Sequence, residues 1–271
     1  MGLTATYDPA LSRVQLVGTT FGATVTYAIV DRYDTAALTN PDVVRGGTHY
    51  EVTMGETLRL DDYEFTPGVL NTYRLRAFNA SDVEVPTYPY TATVTPALDS
   101  IWLKSITRPF LNRPITVTDF GEVSLPDRGA VFQVIGRRAE VAVTEVRGSR
   151  RYVLQVLTDT LADAEELELA LSFGDVMLVH VPEGCVVPRS IYAAVGSVGI
   201  VRAGSKHDTE ARYFTLPLTE VAAPAAELVG FTATYGGLAV AFATYAALAA
   251  ALPTYLDVAE YVAAPSDEVV G

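Results

Sequence analysis

The chain has 271 residues, 49% hydrophobic and 10% aromatic, enough for packed cores in two domains of ordinary size. Its net charge of −13 argues against the phosphate neutralisation from which nucleic-acid binders draw their affinity, so nucleic acid is not an expected partner. A single cysteine, Cys185, rules out an intrachain disulfide, and its neighbours Gly184, Val186 and Val187 predict a buried, inert thiol.

The opening MGLTATYDPAL has no basic region followed by an apolar core, so no signal peptide is expected. Residues 3 to 94 then form short alternating runs: LTATY (3–7), SRVQLVG (12–18), ATVTYAIVDRY (23–33), ETLRL (56–60), NTYRLRAFNA (71–80) and YTATVTP (90–96). Turn formers such as Asn40-Pro41, Gly46-Gly47 and Pro67-Gly68 separate them, which predicts a β-sandwich. Phe65-Thr66-Pro67-Gly68, followed by Tyr73-Arg74-Leu75-Arg76-Ala77-Phe78-Asn79, resembles the E–F corner and F strand of a fibronectin type III domain. The resemblance implies that the Tyr73 hydroxyl anchors the corner. That family's strand B tryptophan is absent, so Val14, Leu16 and Val17 are expected to fill the core.

A boundary is predicted near residues 94–99, after which SIWLKSITRPFLNRPITV opens a second β-rich region reaching about residue 222. Its alternating runs are AVFQVIG (130–136), EVAVTEV (140–146), RYVLQVLTD (151–159), DVMLVHV (175–181), SIYAAVGSVGIV (190–201) and ARYFTLPLTEV (211–221), giving a larger sandwich or barrel. One helix interrupts it, capped by Thr160, with Asp163 in its first turn, an apolar face of Ala164, Leu167, Ala170 and Leu171, and an end at Phe173-Gly174. Arg137, Arg138, Arg147, Arg150 and Arg151 are expected at strand ends facing a hairpin at Gly148-Ser149. On so acidic a chain such a cluster is a solvated turn, a surface for acidic neighbours or a nucleic-acid contact, and an intersubunit ion-pair surface is the expectation.

Residues 228 to 256 carry no charge, yet Gly236, Gly237, Pro253 and the absence of flanking Lys or Arg weigh against a membrane span. Thr-Tyr recurs at 234–235, 244–245 and 254–255. On one continuous helix ten residues advance about 1000°, so the pairs would not form a stripe. Each Thr reads instead as an N-cap, with Asp257 supporting Thr254, and helical steps are expected near 245–252 and 255–262. Helices so short are not stable alone in water, which makes Tyr235, Tyr245 and Tyr255 candidate interface residues. After Arg212 the chain has no basic residue and six acidic ones.

SIWLKSITRPFLNRPITV, VRGSRRYVLQVLTDT with its helix, GDVMLVHVPEG, YFTLPLTEVAAP and the TYxxL repeats at 234–238 and 244–248, with TYLDV at 254–258, resemble a minor tail protein of actinobacterial siphophages, related in role to distal tail and baseplate hub proteins. The resemblance implies a virion protein of the tail tip, made in the host cytoplasm, without cofactor or catalysis. It implies a homo-oligomeric ring, hexamer or trimer, that joins the tail tube to host-contacting tip proteins and has other tail proteins as partners. The expected division is a fibronectin type III-like sandwich at 1–96, a sandwich or barrel at 97–223 and a helical arm at 224–271, mainly β throughout. An alternative is a carbohydrate-binding module touching host cell-surface glycan through Trp102, Tyr7, Tyr88 and Tyr90; an accessory region of a hydrolase ranks below both.

Nothing in the sequence nominates a catalyst or a metal. His49, His180 and His207 stand in separate segments without a second ligand at metal spacing, and each reads as an ordinary surface or strand histidine. Asp61-Asp62 and Glu165-Glu166 read as solvated charge, because adjacent side chains point apart. The scarcity of lysine, with only Lys104 and Lys206, reads as coding bias without mechanistic content.

Overall fold

The computed structural model describes residues 2–85, 90–133, 135–136, 138–185, 187, 189–204, 209–230, 233 and 235–263. The chain is mainly β. Strands β1 (Gly2–Asp8), β2 (Arg13–Thr19), β3 (Tyr27–Tyr33), β4 (Asp42–Val43), β5 (Tyr50–Glu51), β6 (Thr57–Asp62), β7 (Asn71–Phe78) and β8 (Tyr90–Val94) come first. β9 (Ile101–Ser105), a 3₁₀ turn (Pro109–Leu111), β10 (Arg113–Phe120), β11 (Ala130–Phe132), β12 (Val141–Val143) and β13 (Arg151–Thr158) follow. After α1 (Leu161–Ser172) come β14 (Met177–His180), β15 (Ile191–Val195), β16 (Gly199–Arg202) and β17 (Arg212–Glu220), then the short helices α2 (Tyr235–Ala241), α3 (Tyr245–Ala251) and α4 (Tyr255–Glu260).

Compactness divides the chain differently from the sequence segments. One unit holds Met1–Pro114, Leu178–Ser190 and Pro224–Gly271; the other holds Ile115–Met177 and Ile191–Ala223. In the first unit β1, β2 and β6 form one antiparallel sheet, while β4, β3, β7 and β8, with β5 added to β3, form a second. The period-2 alternation of each strand turns Val14, Leu16 and Leu58 of one sheet and Ala28, Val30, Leu75 and Ala77 of the other into a single core. Val17 does not join them: β2 pairs with β1 and β6 without a bulge, so Val14, Leu16 and Gly18 point inward and Val17 is only half-buried. The aromatic volume missing from β2 comes from Trp102, which sits on β9 beyond the expected boundary at residue 96 and packs into this same core.

A carboxylate ties the two sheets together. Asp62, the last residue of β6, accepts from the Arg32 guanidinium of β3 at 3.2 and 3.0 Å, from the Tyr73 hydroxyl of β7 at 2.8 Å and from the Glu64 amide at 2.8 Å. Asp62 is thus buried and fully bonded rather than solvated, while its neighbour Asp61 faces the other way and pairs with Arg13 at 2.6 Å. Tyr73 is buried as the corner reading requires, but its hydroxyl meets a carboxylate. Burial first, and then the Asp62 charge, push that phenol well above its ordinary range. Burial alone would lower the Arg32 pKa, yet the Asp62 carboxylate outweighs it and holds the guanidinium charged.

In the second unit β17 is central. It pairs with β13 from Arg151↔Thr219 to Thr158↔Arg212, and along its other edge with β16 and then β15. Tyr152, Leu154 and Val156 of β13 and Phe214, Leu216 and Leu218 of β17 are the buried half of these alternating strands. α1 forms as its sequence predicts: the Thr160 hydroxyl accepts from the Asp163 amide, Ala164, Leu167 and Ala170 are buried, and Gly174 takes the positive φ of +66° that ends the helix. Leu171 lies at the edge of that face, half-buried. Of the six long strands expected in this region, two reduce to the three-residue pair β11–β12, which pairs only with itself among the described residues.

Replacing Tyr73 with Phe removes one donor from a buried carboxylate. Urea unfolding of Tyr73→Phe is expected to show a loss of about 1–3 kcal/mol at neutral pH; an unchanged midpoint would mean that Asp62 is satisfied without it.

Candidate interaction surface

The arm that follows β17 begins with a strap, 224–230, whose backbone carbonyls are bonded by the loop after β4. Arg45, in the loop after β4, is bidentate to Glu64, with Nε to Oε2 at 3.0 Å and Nη2 to Oε1 at 2.9 Å. Its remaining guanidinium hydrogens donate to the carbonyls of Pro224, Ala225 and Leu228. Gly46, at φ +76°, adds an amide hydrogen bond to the Ala226 carbonyl at 3.2 Å. Gly230 closes the strap: a Cβ there would lie 2.7 Å from the Thr107 carbonyl, 2.8 Å from that of Ile106 and 2.9 Å from Pro109 Cδ, so only glycine fits unshifted.

Beyond the strap the repeat resolves into its three helices, each starting at its tyrosine. Thr244 caps α3 by accepting from the Ala247 amide at 3.1 Å, and Thr254 with Asp257 forms a reciprocal capping box on α4. Thr234 lies outside the described residues, so its capping role does too. Because a first-turn side chain leans away from the helix body, Tyr235, Tyr245 and Tyr255 are 94%, 86% and 96% exposed. Phe242 and Tyr261 meet in a tilted ring contact at 5.5 Å, which joins the segment after α2 to the end of α4, and Ala263 beyond them is buried.

A cavity of about 530 Å³ in the first unit is bordered by Arg59, Asp61, Tyr63, Lys104, Val229 and Leu238, among others. Lys104 lines this cavity and shares the Phe65 ring with a second buried base, His180, and the sequence had marked neither as buried. Lys104 Nζ donates to the carbonyls of Ser12 at 2.7 Å and Tyr63 at 2.8 Å and stands 4.7 Å over the Phe65 ring. Burial pushes this amine well below its ordinary value, against the pull of Asp62 and Glu64. His180 meets the Phe65 carbonyl through Nε2 at 2.8 Å, so that nitrogen carries the proton, and Nδ1 has no hydrogen-bond partner among the described residues. Burial, and then the Lys104 charge, push the imidazole well below its usual pKa and keep it neutral.

The arginine cluster lies in the second unit. Arg138, Arg147 and Arg151 are exposed and Arg150 is half-buried; Arg137 lies outside the described residues. No hairpin turns at Gly148-Ser149. β12 has already turned back on β11, and the chain from 148 to 151 instead runs beside 124–126, with Gly148 bonded to Pro126 and Arg151 bridged to Ser124. Glu220 is held at the root of this segment, its amide bonded to the Arg150 carbonyl at 2.8 Å.

The tyrosines and arginines therefore belong to different units. Of the residues expected to carry a sugar platform, Trp102 is buried, Tyr7 is half-buried edge-on to Phe65 at 5.4 Å, Tyr90 packs on the sandwich core and Tyr88 lies outside the described residues. Of the remaining candidates, Cys185 is half-buried in a turn, His49 is exposed and His207 lies outside the described residues. No helix among the described residues is long and apolar enough to cross a membrane.

Gly230→Ala is expected to lift the strap, because its new methyl group meets backbone on two sides. Hydrogen exchange should quicken at the Gly46 and Leu228 amides and stability should fall by about 1–3 kcal/mol; unchanged protection would show that the strap tolerates the shift. The chain matches no protein-family model and no curated protein sequence.

Proposed function

We propose that the protein is a structural subunit of a bacteriophage tail tip or baseplate, present in several copies, which links the tail tube to the proteins that contact the host. One observation carries the reading: three consecutive helices of seven, seven and six residues each present a nearly fully exposed tyrosine, on an arm whose root is fixed to the body. Helices of that length owe their order to packing, and tyrosine is a side chain enriched where proteins dock, since it contributes large contact area at low entropic cost. The likeness of the 100–260 segment order to siphophage minor tail proteins agrees with it. Virions produced from the genome that encodes this chain, labelled with gold-conjugated antibody against it, are expected to carry gold at the tail tip. Gold on the capsid, or virions free of the protein by mass spectrometry, would overturn the assignment.

A second reading, glycan binding, has support at a place the sequence did not indicate. At one end of the sandwich His49, Tyr27 and Phe78 stack at 4.0 and 5.0 Å beside a cleft of about 590 Å³ that Glu51, Glu56, Asn79 and Asp82 line. A ring face next to carboxylates and an amide is the chemistry that holds a pyranose. Saturable binding of host cell-wall glycan that His49→Ala weakens several-fold would favour this reading, whereas a flat glycan-array response would remove it.

A further inference from the structure

The pair β11–β12 does not belong to either core. Its register, Ala130↔Val143, Val131↔Ala142 and Phe132↔Val141, places Phe132, Val141 and Val143 on one face, and all three are exposed, Phe132 by 54% and Val143 by 58%. Ile135 and Val146, at the turn and the exit, are exposed as well. A two-stranded ribbon is marginal in water, and a contiguous apolar patch on a monomer marks a contact surface.

Charge narrows what covers it. From Arg128 to Arg151 the sequence has six arginines against two glutamates, a local charge of +4 on a chain of −13. Arg128, Arg138 and Arg147 are exposed around the apolar face, and of the two glutamates Glu140 is already engaged by Gln133 at 3.0 Å. The fitting partner is apolar, aromatic and acidic. The arm of this same protein has that composition, with Tyr235, Tyr245, Tyr255 and Val240 exposed, Glu227 exposed in the strap that precedes them, and five acidic residues and no basic one from residue 224 on.

From this complementarity we infer that the β11–β12 ribbon of one copy receives the C-terminal arm of a second copy, with Phe132, Val141 and Val143 against the tyrosine-bearing helices and Arg138 and Arg147 facing the arm's carboxylates. The inference builds on the reading of the chain as a copy-repeated subunit. The contact joins two different patches, so it is heterologous: it closes into a ring if the rotation between copies closes, and otherwise runs on as a filament.

Sedimentation velocity of the full chain across a concentration series tests it. The native chain is expected to self-associate, and Arg138→Glu with Arg147→Glu to weaken association about tenfold at low salt. Phe132→Ser should weaken it too, without lowering thermal stability, since the ribbon lies outside both cores. Adding Glu227→Arg to the double variant should recover part of the association, which a merely unfolded ribbon would not allow. A native chain that stays monomeric, or variants that associate like it, would overturn the contact. Gold at the tail tip with arginine-independent assembly removes this contact alone, whereas arginine-dependent assembly with no protein in the virion removes the tail assignment alone.

Discussion

The Asp62 carboxylate is the constraint on which the first unit depends. A buried anion costs several kcal/mol unless its lone pairs are filled, and here four hydrogen bonds from three separate stretches of chain converge on it. Because β6 belongs to one sheet and β3 and β7 to the other, these bonds fix the two sheets relative to each other in a way apolar packing does not. Apolar contact is tolerant of sliding; a carboxylate that must meet Arg32 and Tyr73 together is not. The same arrangement places Glu64 two residues on, where it orients the Arg45 guanidinium that holds the strap. The order of the arm's root is thus linked through two residues of backbone to the interior of the sandwich.

Lys104 and His180 extend the same logic to segments distant in sequence. Lys104 fills the carbonyls of Ser12 and Tyr63, which leave the β1–β2 turn and the end of β6, while His180 fills that of Phe65. An unpaired buried carbonyl is costly, so each base substitutes for a ladder hydrogen bond where the sandwich strands end. With Trp102 in the core, these contacts explain why β9 and most of β14 belong to the compact unit of the N-terminal sandwich.

What the sequence revealed was local. Strand alternation located most strands, Thr160 and Gly174 bounded α1, and the threonines of the repeat identified α3 and α4 within two residues, because caps and periodicity act over a few positions. What it concealed was long-range. Asp62 beside Asp61 looks like any charged doublet until the pleat sends one inward; Lys104 looks like a rare lysine until 92 residues of separation from Ser12 are closed. The hairpin expected at Gly148-Ser149 failed for a similar reason, since strand-like runs do not disclose their partners. For Val17 the signal was present: its parity in β2 sets it opposite Val14 and Leu16.

The strap and the helices beyond it differ in how they are held, and that difference has a thermodynamic consequence. Residues 224–230 are fixed by hydrogen bonds to Arg45 and Gly46 and by the fit of Gly230 against backbone, whereas the helices satisfy their own ends with Thr244, Thr254 and Asp257 and leave their tyrosines in solvent. Association costs the most when a partner must order a free chain. An arm anchored at its root and capped at each step has already lost much of that freedom, so burying three tyrosines against a partner would appear largely as affinity. The caps at Thr244 and Thr254 satisfy amides that a helix of six or seven residues would otherwise leave open, and on the proposed reading they keep the tyrosines ordered ahead of contact.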